Sequence, residues 1–166
     1  WFRFLVLPLL VFNASTSAQD GAKSSFDIME ASIADIHAGY KDGSLTAVQL
    51  VQLYLDRINA YDQTGPKINS IITVNKNALA EAAALDRARE QSGLRGPLHG
   101  IPVVLKDNIN TLDMPTTNGS AILRGVIPPT DATLTRELRK AGAIILGKAA
   151  MGEFASGSYN SVSGQT

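Results

Sequence analysis

The chain has 166 residues, 45% hydrophobic and 18% charged, with fifteen basic and fifteen acidic side chains. That is enough for one domain with a real core or a piece of a larger one, and the even charge balance offers no basic field for nucleic acid and no acidic tail. There is no cysteine, which excludes a disulfide scaffold, thiolate metal ligands and a cysteine nucleophile.

At the start, Arg3 precedes an apolar run over 4–12, followed by small polar residues through Thr16-Ser17-Ala18. The pattern approximates a secretory signal peptide over 1–18, cut before Gln19, so the protein is expected to be secreted. The alternative is an apolar strand of the fold. At this length the run does not anchor the chain across a bilayer. A flexible segment over 19–31 is expected next. Two acceptor sequons occur, Asn13-Ala14-Ser15 and Asn118-Gly119-Ser120; the second can carry a glycan only if it is exposed.

Ser32 with Asp35 opens a first helix, and Gly43 stops it. Thr46 and Gln49 form a capping-box pattern. Ala47, Leu50, Val51, Tyr54, Leu55, Ile58 and Tyr61 follow at three- and four-residue spacing, which predicts one long amphipathic helix. A buried strand is predicted over 70–74. Asn75 then caps an alanine-rich helix through about residue 91, with Ala78, Ala82 and Leu85 inward and Gly93 closing it. Gly96, Pro97 and Gly100 punctuate a turn into a strand over 101–105, with Pro102 near its start. Residues 108–129 are irregular and long enough for a functional or covering loop. A helix over 131–141, with Ala132, Leu134, Leu138 and Ala141 on one side, leads to a strand over 143–146. The alternation of helices and strands predicts α/β layering, a sheet covered by helices. No internal repeat or second domain is visible.

Three constellations bear on chemistry. Gly142 to Ala149 has the spacing of a phosphate-binding loop, but its interior is a β-strand and Ala149 replaces the magnesium-binding hydroxyl, so nucleotide binding is not expected. His37 and His99 stand far apart without acidic residues at ligand spacing, which leaves metal binding unsupported. No Gly-x-Ser-x-Gly elbow accompanies them. Lys106 is different. It ends an apolar β-type run, where an ammonium must find a partner, reach water or give up its proton. A lysine that gives up its proton can act as a base. The plainer alternative is that its stem packs on the core while its charge snorkels out or pairs with Asp107. Asp107 is a weak partner, since a continuing strand turns it to the opposite side.

The run Gly100-Ile-Pro-Val-Val-Leu-Lys106-Asp107-Asn108 resembles the lysine motif of the amidase signature family. The resemblance continues through Thr116-Thr117-Asn118-Gly119-Ser120, Pro129-Thr130-Asp131-Ala132 and 138–148. It also takes in Met151-Gly152-Glu153-Phe154-Ala155 and Ser163-Gly164-Gln165-Thr166, and it includes the earlier 43–46 and 54–58. It thus covers nearly everything from about Ile33 onward.

This resemblance implies an α/β fold with a mixed β-sheet core covered by helices, of which 32–166 would be the N-terminal part. It also implies a Ser–cis-Ser–Lys amidase. Lys106 matches the family lysine, acting as base through a bridging serine in a cis peptide bond. A nucleophilic serine attacks the amide carbonyl, backbone N–H groups hold the oxyanion, and water then releases the acyl group. Only a neutral lysine can serve, and burial favours that form. No cofactor or metal is implied, and the partner is a small-molecule or peptide amide substrate. The sequence stops at Thr166, before the family's Gly-Ser-Ser-Gly-Gly and Gly-Gly-Ser stretches, so these residues alone are expected to be an inactive fragment of a secreted, fungal-type amidase. Ala150 departs from the family's usual asparagine. The rivals are a non-catalytic secreted binding protein on a truncated amidase fold and an amidotransferase A-type subunit.

Overall fold

A computed structural model describes residues 26–157 and 159–163; the expected signal peptide lies outside them. Helix α1, Ile33–Asp42, begins at a capping box in which Ser32 Oγ accepts from the Asp35 N–H and the Asp35 carboxylate accepts from the Ser32 N–H. It ends at Gly43 in the left-handed conformation. Helix α2, Ala47–Arg57, is capped the same way by Thr46 and Gln49. These reciprocal pairs satisfy N–H groups that the first turn of a helix leaves open, so both starts follow from the sequence.

The expected single helix through Tyr61 changes character after Arg57 and continues as a π-helical turn, Ile58–Gln63. Asp62 in that turn is buried and accepts hydrogen bonds from Ser70 N, Ser70 Oγ and Ile71 N. Burial pushes its carboxyl up, and the hydrogen bonds from Ser70, Ile71 and Gln63 outweigh this and hold it below the usual carboxylate range. Strand β1, Ile71–Val74, is therefore fastened at its first residue. It is half-buried rather than fully buried, because it forms one edge of the sheet.

Helix α3, Ala78–Ser92, starts after Asn77 and not at the expected Asn75 cap. Asn75 is instead buried, donating to Glu81 Oε1 and to the Ile145 carbonyl while accepting from the Asn77 N–H. Its amide thus joins α3 to the sheet. Strand β2, Pro102–Lys106, and strand β3, Ile144–Ala149, are linked by an irregular loop and helix α4, Thr133–Lys140. The sheet order is β1-β3-β2, with β3 antiparallel to β1 and parallel to β2. The fold is accordingly α/β with a mixed sheet. A parallel pair needs a long crossover, which is what residues 107–143 supply.

Two apolar layers cover the two sheet faces. Ile36, Tyr40, Leu45, Leu50 and Val51 pack with Ile101, Ile144 and Leu146 beneath α1, α2 and α3, and Phe26 and Ile28 lie against this layer. Leu105, Met114 and Ile145 form the smaller second layer with Ile109 and Leu138. Helix α4 is turned differently from expectation. Leu134 is exposed, while Thr135 is buried and its hydroxyl donates to the Asn110 carbonyl at 2.8 Å. The same carbonyl also accepts from the Ala132 N–H at 3.0 Å, so two bonds tie the start of α4 to the loop, a tertiary contact that apolar periodicity does not reveal.

The register of β3 carries the main consequence for function. Val103 pairs with Ile145 and Leu105 with Lys148, with a shift after Val103 that leaves Leu146 as an extra residue. Val103 and Leu105 share one face, so the bulge places Ile145 and Lys148 on that face although they are three residues apart. Strict alternation would have put Lys148 with Ile144 and Leu146. Gly147 lies inside the irregularity, and a Cβ there would stand 2.5 Å from the Thr73 carbonyl oxygen.

Two outcomes are expected from this architecture. Gly147→Ala should push β1 away from β3 and lower stability by about 1–3 kcal/mol, read from the denaturant midpoint. Because the Asp62 carboxyl is held low, its contribution is present above the unfolded carboxylate range and disappears as pH falls through the folded value. Asp62→Asn should therefore flatten the acid limb of the stability profile, and an unchanged limb would show that Asp62 contributes nothing to it.

Candidate active site

Lys106 is the last residue of β2 and is exposed, with no side-chain hydrogen bond or ion pair among the described residues. Its backbone, by contrast, is held from both sides. Lys106 pairs with Ala149, its carbonyl accepts from the Ile109 N–H at 3.0 Å, and the following N–H, of Asp107, donates to the Ala149 carbonyl at 3.1 Å. As expected of a strand, Asp107 turns to the opposite face, where it is completely buried.

Beneath this strand end lies a buried charge pair. Lys148 Nζ and Asp107 Oδ1 are 3.6 Å apart, and neither side chain is exposed. The ammonium also donates to Thr116 Oγ1 at 2.8 Å and to the Pro115 carbonyl at 3.1 Å. Asp107 Oδ2 accepts from the Thr117 N–H at 3.1 Å, the Gly119 N–H at 3.3 Å and the Thr117 hydroxyl. Burial pushes the Lys148 amine below its ordinary value, and the Asp107 charge opposes this. A carboxylate carrying three donors and facing an ammonium that has two further acceptors is the arrangement in which buried charges are tolerated.

The loop between β2 and α4 is folded around that pair. Asn118 N–H donates to the Asp107 carbonyl, and Thr116 N–H to the Val126 carbonyl. Gly119 has φ +72°, and a Cβ on it would stand 2.4 Å from the Met151 carbonyl oxygen. Only glycine lets the chain after β3 approach so closely. That later chain is tied back in turn: Phe154 N–H donates to the Asn118 carbonyl and Ser161 N–H to the Gly119 carbonyl. Farther along, Arg139 grips Asp113 at 2.7 Å and Asp131 at 3.1 Å, while Asp131 accepts from the Leu112 N–H. The predicted covering loop is thus anchored to both β3 and α4.

The other residues singled out in the sequence lie elsewhere. His99 is buried; its Nδ1 accepts from the Arg95 N–H, and burial pushes its imidazole below the ordinary range. His37 Nε2 meets the His99 carbonyl at 3.2 Å. Gly147 and Lys148 lie within β3, as the strand-like interior of that segment requires. In the second sequon Asn118 is half-buried and Ser120 buried, so the folded tripeptide is not exposed. Lys148 and Asp107 are what sequence reading missed as a pair. The available signal was a charged residue continuing the apolar run of Ile144, Ile145 and Leu146, coupled to an acidic residue directly following Lys106.

A lysine displayed at a strand end, over a polar bed built from β3 and a tethered loop, defines the class: an α/β scaffold that presents an exposed lysine. The amidase family model matches residues 49–166, and the chain belongs to the amidase family. It is 46% identical over 143 residues to the A-type subunit of glutamyl-tRNA(Gln) amidotransferase from Streptomyces coelicolor, covering 84% of this chain and 28% of that protein. Against Probable amidase At4g34880 of Arabidopsis thaliana the identity is 40% over 149 residues, covering 88% of this chain and 28% of that one. Among solved structures, native peptide amidase from Stenotrophomonas maltophilia superposes with TM-score 0.79 at 46% identity, over 82% of this chain and 29% of that chain. The chain thus spans 28% of the length of these curated relatives.

Removing one member of the buried pair strands the other. Lys148→Met should cost about 3–5 kcal/mol in urea unfolding, and adding Asp107→Asn should recover much of it. Equal stabilities for the single and double variants would mean that the two charges do not interact.

Proposed function

We propose that the protein hydrolyses a carboxylic amide, peptide amides included, through a serine acyl-enzyme for which Lys106 is the base. The observation that carries this reading is the placement of Lys106. It falls at the end of β2 in the segment Gly100 to Asn108 that resembles the family lysine motif, with its backbone fixed and its side chain open. Membership of the amidase family and likeness to peptide amidase support the same chemistry. In the reaction, neutral Lys106 draws a proton from a bridging serine, which draws one from the nucleophilic serine. That oxygen attacks the carbonyl carbon, the C–N bond breaks, and the amine or ammonia leaves with the proton. Water then cleaves the ester and releases the carboxylate.

Neither Gly-Ser-Ser-Gly-Gly nor Gly-Gly-Ser occurs in the 166 residues. In this reading 32–166 form the N-terminal part of the amidase domain, and the serines come from further sequence. Lys106 is exposed among the described residues, so the desolvation that favours a neutral amine comes from chain or substrate laid over the end of β2. The apolar run after Arg3 and the small residues that follow it support secretion, with 1–18 removed as a signal peptide. A second reading has a specific basis in the 46% identity to the amidotransferase protein of Streptomyces coelicolor. In that reading the chain would serve the transfer of ammonia to a tRNA-linked substrate, which is intracellular work. N-terminal sequencing of secreted protein beginning at Gln19 would favour the hydrolase.

The decisive variant is Lys106→Ala in the product of the complete reading frame. Ammonia release from an N-protected dipeptide amide should fall about 10²–10⁴-fold. The variant should stay folded, with an unchanged circular-dichroism spectrum and a single cooperative unfolding transition. Retained turnover would count against the base. The 166 residues alone should not be labelled by a fluorophosphonate probe.

A further inference from the structure

We infer that Asp107 and Lys148 are positioning residues for the reaction, a buried clamp that sets where Lys106 stands. The inference rests on the reading of Lys106 as the base. Among the described residues nothing touches the Lys106 side chain through a hydrogen bond or ion pair, so the direction in which it leaves the sheet is set by its backbone. The backbone is set in turn by the next residue. Asp107 is held through its N–H to Ala149, through its carbonyl by Asn118, and through its carboxylate by Thr117, Gly119 and Lys148. A rotation of Asp107 would carry Lys106 with it.

Ordinary stability does not account for the pair. A completely buried lysine and aspartate can often be replaced by well-packed apolar residues with no loss. Here the sheet departs from regular register to seat the lysine, since the extra residue Leu146 in β3 brings Lys148 onto the face of Asp107. Gly147 lets β1 close over the same point. Lys148 then spans two pieces of chain, holding the Pro115 carbonyl and the Thr116 hydroxyl as well as Asp107. The same clamp thereby fixes the loop directly after Lys106. Such an arrangement suits a base that must stand within a fraction of an ångström of its proton.

The test uses the product of the complete reading frame and three variants, Lys148→Met, Asp107→Asn and the two together. The single lysine variant strands a buried charge and could fail to fold. The aspartate variant keeps the shape, and the double variant removes both charges. Ammonia release from an N-protected dipeptide amide gives kcat and KM, while amide hydrogen exchange at Thr117 and Gly119 reports the clamp. In the folded Asp107→Asn or double variant, kcat should fall about tenfold or more. KM should stay within about twofold, because the loss falls on the transition state. Exchange at Thr117 and Gly119 should quicken. Unchanged kcat in a folded variant with quickened exchange would overturn the positioning role while leaving Lys106 as base. A fall in activity that only follows the unfolded fraction would overturn it as well. If Lys106→Ala keeps full turnover, or the unsubstituted protein has none, the failure lies in the hydrolase reading, and the clamp's role in catalysis falls with it.

Discussion

The interaction on which the rest of the structure depends is the contact between Lys148 and Asp107, two opposite charges with no exposure, 3.6 Å apart. Neither could stay ionised alone at that depth without a large desolvation penalty. Their partners are therefore structural requirements. Thr117 and Gly119 must bring N–H groups to the carboxylate, and Pro115 and Thr116 must bring acceptors to the ammonium. A loop with these obligations has little freedom left. The charge pair converts the irregular chain after β2 into a defined surface.

That surface closes the sheet at the end where Lys106 emerges. One face of the sheet is covered by the larger apolar layer under α1, α2 and α3; among the described residues the other holds the smaller layer of Leu105, Met114, Ile145 and a few neighbours. The smaller layer passes directly into the polar bed around Lys148. Arg139, bonded to Asp113 and Asp131, restrains the far side of the loop, and the chain at 154–161 restrains the near side through Asn118 and Gly119. Exposed Lys106 thus stands on a rigid base. That combination suits a group that must be placed accurately and still reach a substrate.

Much of the framework was legible in the sequence. Ser32 with Asp35 and Thr46 with Gln49 announced two helix starts through reciprocal hydrogen bonds, which are local and carry their own geometry. Alternation of helices and strands pointed to the α/β class, and the family resemblance to the mixed sheet. The opposite orientations of Lys106 and Asp107 followed from the pleat. What escaped was decided by contacts distant in sequence. The π-helical turn after Arg57 serves Asp62 and its bonds to Ser70 and Ile71, and Asn75 leaves its cap to reach Ile145. Helix α4 buries Thr135, whose hydroxyl joins the Ala132 N–H on the Asn110 carbonyl. Lys148 escaped for a more specific reason: period-two reasoning sends it to the face of Ile144, and only the extra residue in the β3 register brings it to Asp107.

The family and the fold meet in the segment from Gly100 to Asn108, where a lysine motif coincides with a strand end that leaves one charge open and buries the next. Everything proposed for the site requires that Lys106 be the open one for a chemical reason. The most direct measurement is a crystal structure of the product of the complete reading frame. It should show Lys106 Nζ covered by further chain and within about 2.6–3.2 Å of a serine hydroxyl, with the Asp107–Lys148 clamp intact beneath it. A structure in which Lys106 still faces only water, with no serine within reach, would contradict its role as the base.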